Sequence, residues 1–496
     1  MPSDVLLAHS FFMKNDPKQS SKVRPYPPLG TLYAASYLRD LGYSVRLFDA
    51  MLADSPEDFQ TVLDDAEPRI VVIYEDQFNF LNKMCLKHSR DAACQMAMTA
   101  RSRHCSVIAA GSDVSDHPEI YFQHGVQFAI FGEAEHALGE LLQIITGRST
   151  ASPELIGGVA LPKTGFPKGV RRNKPRTPER HPDVFPFPAW DLIDAERYRS
   201  AWTAAHGYFS LNMVSTRGCP FHCNWCAKPI WGQRYAMRSP ANVAEEMARI
   251  KRLLKPDHIW FADDIFGLQP KWVVEFADEV RARSASVPFT IQSRADLMTE
   301  NAVAALAEAG CMEVWLGAES GSQKILDAMD KGISIAQIAE ARTRLQSAGI
   351  RACYFIQFGY PGEEFEDILS TVRLIRDTLP DDIGISVSNP LPGTKFHEMV
   401  KAELGEKDHW DDSNDLAMMF QGTYQTAFYR KLHELLHRGL ELWRRSDAEG
   451  QLLSQELDKE WSELAAREAS CRSTSPTSVR KTYVSVQAPD LTQRWN

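Results

Sequence analysis

Three thiols, Cys219, Cys223 and Cys226, fall within eight residues at C-x3-C-x2-C spacing, in Ser215-Thr-Arg-Gly-Cys-Pro-Phe-His-Cys-Asn-Trp-Cys226. Thiolates are the usual ligands of iron–sulfur clusters, and a cubane normally takes four of them. A run of three leaves one iron without a protein ligand, open to bind and activate a small molecule. A structural zinc would want a fourth Cys or His at paired spacing, and His222, lodged between two of the thiols, is badly placed to supply it. Gly218 and Pro220 suit a tight wrap around a cluster. The stretch before the loop, 211–216, reads as a strand, so the loop sits at a strand's C-terminal end, where α/β folds place their sites.

The elements after the loop repeat with a regular order. Helical 243–254, strand 258–262, helix 272–283, strand 289–293, helix 301–309, strand 313–317, helix 335–347, strand 351–357, helix 364–377 and strand 383–388 make six βα units, counting the cysteine strand as the first. Six right-handed units predict an open, partial barrel of TIM type with its site at the C-terminal rim. Every strand delivers polar or Gly/Pro chemistry to that rim: Asp263 and Asp264, then Arg294 and Asp296, Glu319 and Ser320, Gly359-Tyr-Pro-Gly362, and Asn389-Pro-Leu-Pro-Gly393. Taken singly, each could cap a helix. Carboxylates and a cation converging beside a thiol loop point to a site.

Before the loop, strands at 5–9, 43–49, 69–74, 106–110 and 126–131 alternate with helical segments, which predicts a doubly wound parallel sheet of about five strands, flavodoxin-like. Gly111-Ser112 and Gly132-Glu133 close two of these strands where a nucleotide-like ligand would lie. The chain divides into this Rossmann-like domain (1–150), a proline-rich extended linker (151–205), the partial barrel (206–400), a helical C-terminal segment (401–470, helices at 424–442 and 452–466) and a disordered tail (471–496). The linker's basic run, Lys168 to Arg180, is short and lacks interleaved aromatics, so it reads as a solvated connector.

Composition bounds the rest. At 496 residues the chain holds several domains with sizeable cores. Its 55 basic and 65 acidic residues give a net charge of −10, which argues against nucleic acid or an anionic membrane as the main partner. No apolar run reaches transmembrane length, and a secretory leader is not evident, so a cytoplasmic location is expected. Nine cysteines, three of them clustered, fit a reducing compartment. Cys85, Cys94, Cys105, Cys311 and Cys353 are too scattered for a second cluster and read as structural thiols, with Cys471 in the polar tail.

The C-x3-C-x-aromatic-C pattern, with Trp225 as the aromatic, resembles the signature of radical S-adenosylmethionine (radical SAM) enzymes. That resemblance implies a [4Fe-4S] cluster on Cys219, Cys223 and Cys226, whose open iron chelates SAM. It further implies that Asp263 and Asp264 contact the methionine ammonium, Glu319 the ribose or carboxylate, Arg294 the carboxylate, and Trp225, Pro390 and Leu391 the adenine. The N-terminal part resembles the cobalamin-binding domain of many such proteins, through Pro27-Pro-Leu-Gly30, Asp49, Gly111 and Phe131-Gly-Glu-Ala-Glu135. Gly30, Thr31, Asp49, Gly111, Ser112, Gly132 and Glu133 would then line the cobalamin. The Asp-x-His-x-x-Gly loop that supplies a cobalt ligand elsewhere is missing, and His9, at a strand end, reads as a hydrogen-bonded structural residue.

The reading these features support is a cobalamin-dependent radical SAM methyltransferase acting on an unactivated carbon of a small molecule, with flavodoxin or ferredoxin as electron donor. Ring formation or rearrangement is the alternative within that class. A methylthiotransferase should carry three further cluster cysteines in its N-terminal domain and a basic β-barrel at its C-terminus, which the sequence lacks. A non-catalytic cluster or cobalamin sensor is the remaining alternative.

Overall fold

The computed structural model describes residues 3–83, 86–163, 169–228, 230–405, 410–411, 416–445 and 448–473. The first strand is apolar at every position because both its faces are covered. In β1 (Val5–Ala8), Val5 and Leu7 enter one core while Leu6 and Ala8 enter another on the opposite face. With β2 (Val45–Phe48), β3 (Ile70–Tyr74), β4 (Ser106–Ala110) and β5 (Phe128–Ile130) it forms a parallel sheet in the order β2-β1-β3-β4-β5. Helices Leu29–Asp40 and Glu135–Ile145 cover one face, and Asp58–Ala66 and Lys87–Ser102 the other. This is the doubly wound, flavodoxin-like order expected from the alternation.

Residues 151–205 depart from the expected extended linker. Strands β6 (Val159–Pro162) and β7 (Val170–Arg172) continue the same sheet, antiparallel beyond β5. The prolines obscure this pairing, but Pro162 closes a strand near the sheet edge, where a missing N–H is tolerated. Helix Ala195–His206, capped by the Asp194 carboxylate, then leads into the second domain.

That domain contains β8 (Ser210–Met213), β9 (Thr216–Gly218), β10 (Tyr235–Met237), β11 (His258–Phe261), β12 (Phe289–Ser293), β13 (Cys311–Glu319), β14 (Arg351–Phe358) and β15 (Asp382–Val387). Six of them form one parallel sheet, β8-β11-β12-β13-β14-β15, with a helix after each strand, which is the partial barrel the sequence predicts. The stretch read as a single strand at 211–216 is in fact two pieces. β8 ends at Met213, and β9 then pairs antiparallel with β10, closing a ribbon at the base of the thiol loop. Helix Thr426–Trp443 packs beside β15 at one sheet edge. At the other, Tyr26 Oη lies 3.1 Å from Ser210 Oγ and the Asn212 side-chain amide donates to Pro27 O at 3.0 Å.

The C-terminal helices lie at Thr426–Trp443 and Ala448–Ala466, and a short helix, Glu468–Cys471, holds the thiol assigned to the tail. Cys85, part of the basic run and the tail beyond 473 lie outside the described residues. Among the described residues no helix is long and apolar enough to cross a membrane.

Candidate active site

The thiol loop leaves β9 at Gly218, whose φ of 78° is left-handed. A Cβ there would stand 2.4 Å from Arg234 O across the ribbon, so only glycine fits. The base of the loop is fixed by Asp263. Its buried carboxylate accepts from the Ser215 and Thr216 backbone N–H groups (2.8 and 2.6 Å) and from both hydroxyls (2.9 and 2.6 Å). Burial raises this carboxyl to about 6, and the four donors work against that rise. Through these four bonds Asp263 positions the loop.

Both flanks of the loop converge on one carboxylate of the N-terminal domain. Arg217, two residues before the first thiol, pairs with Glu133 at 2.7 Å and with Glu135 at 2.8 Å, and all three side chains are 4 % exposed or less. The Phe185 ring lies 4.1 Å from its guanidinium carbon. From beyond the last thiol, Trp231 Nε1 donates to the same Glu133 oxygen at 3.3 Å, and the Glu179 backbone N–H donates to the other at 2.7 Å. Glu133 thus clamps the two domains together. Burial pushes its carboxyl up, against the pull of Arg217.

Inside the loop, the Phe221 ring covers the Arg294 guanidinium at 3.7 Å. Arg294 also grips Asp296 through two bonds (2.9 and 3.1 Å) and donates to the carbonyls of Lys331 and Gly332. Arg294 thereby ties Asp296 to the segment at Lys331 and Gly332. Asn224, unremarked in the sequence, stitches the loop to three rim segments: its side chain donates to Ala328 O (2.6 Å) and accepts from Tyr360 Oη (2.8 Å), and its backbone bonds Met329 and Phe396. Only its place inside the thiol run could have singled it out.

Burial, then the Asp264 charge, pushes the Cys226 thiol up to about 12, and burial likewise raises Cys219. Metal binding must displace those protons. The thiols influence one another's ionisation, yet among the described residues no three His, Cys, Asp or Glu side chains converge on one ion position.

At the rim, Glu319 adopts a left-handed φ of 62° at a break in the β13–β14 register. Its carboxylate meets Lys331 Nζ at 2.7 Å, both buried. Burial opposes the Lys331 charge, but Glu319 and then Cys223 more than compensate and raise its pKa. Lys331, which no motif announced, thus places a cation beside the thiol loop. Asp264 is exposed on the rim. Trp225 packs against the cluster of Ile325, Met329, Tyr360 and Phe396, with Nε1 buried and unpartnered. Pro390 is buried and Leu391 half-buried at the end of β15.

In the N-terminal domain, Thr31 Oγ1 donates to Tyr74 O (2.7 Å) and Gly30 N to Asp76 (2.9 Å). Asp49 is shared between His9 Nε2 (3.0 Å), Met51 N (3.1 Å) and Tyr198 Oη (2.7 Å). These polar groups are engaged by protein, and His9 is hydrogen-bonded at its strand end. Gly111 and Ser112 are buried at the end of β4, and Gly132 is half-buried after β5. Beside Gly111, Glu75 Oε1 is buried without a partner, as are Asn82 Oδ1 and Ser89 Oγ. Unmet polar atoms at the C-terminal ends of parallel strands suit a polar ligand at the switch point of this sheet.

Residues 213–375 match the sequence profile of the radical SAM superfamily. The chain is 26 % identical over 383 residues to an uncharacterized methyltransferase of Pyrococcus horikoshii, covering 76 % of this chain and 79 % of that one. It is 25 % identical over 392 residues to the hopanoid C-3 methylase of Methylococcus capsulatus, covering 77 % and 70 %. Its fold is that of the cobalamin-dependent S-adenosylmethionine radical enzyme OxsB solved with aqua-cobalamin and S-adenosylmethionine, with a TM-score of 0.70 at 15 % identity over 93 % of this chain and 75 % of that one. The matched segment carries the three-thiol loop at the rim of the six-stranded half-barrel, which identifies this part of the chain as a radical SAM domain.

Proposed function

We propose that the protein is a cobalamin-dependent radical SAM methyltransferase acting on an unactivated carbon of a small molecule. The observation that carries this reading is the clamp of Arg217 and Trp231 on Glu133, which holds the thiol loop against the strand ends of the flavodoxin-like domain. Two relatives named as methyltransferase and methylase, matched over most of their length, support the same class.

Cys219, Cys223 and Cys226 would hold the cluster, and their spacing leaves one iron for SAM. Asp264 is the rim carboxylate suited to the methionine ammonium, Lys331 beside Glu319 the cation suited to its carboxylate, and Trp225, Pro390 and Leu391 the surface for adenine. Gly111, Ser112 and Gly132, with the unmet atoms of Glu75, Asn82 and Ser89, would line cobalamin. When bound, these groups supply one-electron cleavage of SAM and a methyl carrier; the chain binds, orients and excludes water. An electron from flavodoxin or ferredoxin, in the cytoplasm, completes the reading.

The test is binding of hydroxocobalamin to purified protein, with electron paramagnetic resonance of the Co(II) form. Saturable binding without nitrogen splitting from an axial histidine is expected, because His9 is engaged with Asp49. No binding at saturating cobalamin would reduce the N-terminal domain to a scaffold.

A further inference from the structure

The Glu319–Lys331 pair is fixed in place by backbone strain and by a missing side chain. Glu319 keeps its left-handed φ of 62° where the β13–β14 register breaks, and a strained non-glycine residue persists only where its surroundings hold it. The pair has room because residue 317 is glycine: an added Cβ there would stand 2.6 Å from Lys331 Nζ and 2.8 Å from Glu319 Oε1. Lys331 is pinned through its backbone as well. Its N–H donates to Leu326 O at 3.0 Å and its carbonyl accepts from Arg294 at 2.8 Å. With the two side chains 7 % and 6 % exposed, neither charge can turn out to bulk water.

The segment that carries Lys331 is packed on the thiol loop beside Cys223. Asn224 donates to Met329 O through its backbone N–H at 3.0 Å and to Ala328 O through its side chain at 2.6 Å. Phe221 lies over Arg294, which bonds the Lys331 carbonyl. Burial opposes the Lys331 charge, Glu319 and then Cys223 sustain it, and Arg294 works against it. The other charges around the loop are distributed differently. Beyond burial, Asp264 and Lys228 act in opposite directions on Cys219 and Cys226. Arg294 is matched by Asp296, and Asp330 faces Lys395 at 3.5 Å on the exposed side. A buried positive charge beside a cluster thiolate favours the state holding one more electron, because the potential follows local net charge and a low dielectric leaves that charge unscreened.

We propose that Lys331, held by Glu319 in the space left by Gly317, tunes the cluster: its ammonium beside the Cys223 thiolate raises the reduction potential, so that the oxidised cluster takes one electron, and no proton, from a low-potential donor more readily. This deepens the cluster reading and rests on it. The test is an anaerobic redox titration of reconstituted, SAM-free protein at pH 7, with dithionite as reductant and mediator dyes, read by electron paramagnetic resonance of the reduced cluster beside iron analysis and thermal unfolding. At the potential that half-reduces wild type, the reduced-to-oxidised ratio should fall about tenfold in Lys331→Met, which leaves Glu319 uncompensated, and recover in Lys331→Arg. It should rise about tenfold in Glu319→Gln, which leaves the cation alone; tenfold is about 59 mV for one electron. A purely structural pair would not give shifts of opposite sign. Glu319→Gln carries the test if Lys331→Met does not fold, and an unchanged or lowered ratio there would overturn the proposal. So would a Lys331→Met ratio at or above wild type with iron retained. Wild-type iron well below the roughly four per chain of a cubane would sink the cluster reading and this proposal with it, whereas full iron without the shifts sinks this proposal alone.

Discussion

Replacing Arg217 with Met removes the cation from a buried triad and leaves two carboxylates facing each other. Arg217 is 4 % exposed, Glu133 and Glu135 2 % each, and the contacts are 2.7 and 2.8 Å. Removing one partner of a buried ion pair costs about 3–5 kcal/mol, because the charge left behind is uncompensated. Glu133→Gln is milder: Arg217 keeps Glu135, and the amide oxygen can still accept from Trp231, so the loss is close to one charge-assisted hydrogen bond, about 1.5–3 kcal/mol. The order of the two variants thus follows from the geometry. pH supplies a second check. Burial already raises the Glu133 carboxyl and Arg217 opposes that rise, so without Arg217 it rises further, and the Arg217→Met penalty should be full at neutral pH and shrink below about pH 4, where this carboxyl is protonated in either state. Urea unfolding of the two variants and wild type at pH 7 and pH 4, with iron retention after reconstitution, measures both. An Arg217→Met variant within about 0.5 kcal/mol of wild type at pH 7, a spread typical of surface changes, would refute the clamp, as would equal penalties at the two pH values.

Asp263→Asn should reduce iron retention, since its amide cannot accept from four donors, whereas Asp264→Asn should keep iron and weaken SAM binding about tenfold to a hundredfold, as expected for a charge-assisted contact. Calorimetry with SAM beside iron analysis separates the two. Glu363 is fully buried, accepts from Gly359 N at 2.6 Å, and burial lifts its carboxyl to about 8. A raised carboxyl favours the folded state below its unfolded pKa and loses that contribution as pH rises through the folded value, so wild type should lose on the order of 1 kcal/mol more than Glu363→Gln between pH 7 and pH 9 in urea titrations. Parallel profiles would remove Glu363 from the account.

Short-range signals carried what was legible in the sequence. The cysteine spacing lies within eight residues, and the six βα units announce themselves by period and by the polar groups at their ends. Contacts that join distant segments left no such trace. Glu133 and Arg217 are 84 residues apart, Asp263 and Ser215 are 48, and which carboxylate serves the ligand and which the loop depends on those pairings. Asn224 and Lys331 are isolated polar residues without a pattern, identifiable only once the loop they hold is in place. The β6–β7 edge was hidden by proline-rich composition, which reads as linker until a neighbouring strand supplies hydrogen bonds.

The account depends first on the thiol loop carrying an SAM-cleaving cluster. Protein reconstituted under anaerobic conditions, reduced with dithionite and given SAM should contain about four irons per chain, as the cubane requires, and form 5′-deoxyadenosine. The Cys219→Ala, Cys223→Ala, Cys226→Ala triple variant should show neither. A fully loaded wild-type protein that leaves SAM intact, or iron retained by the triple variant, would contradict it.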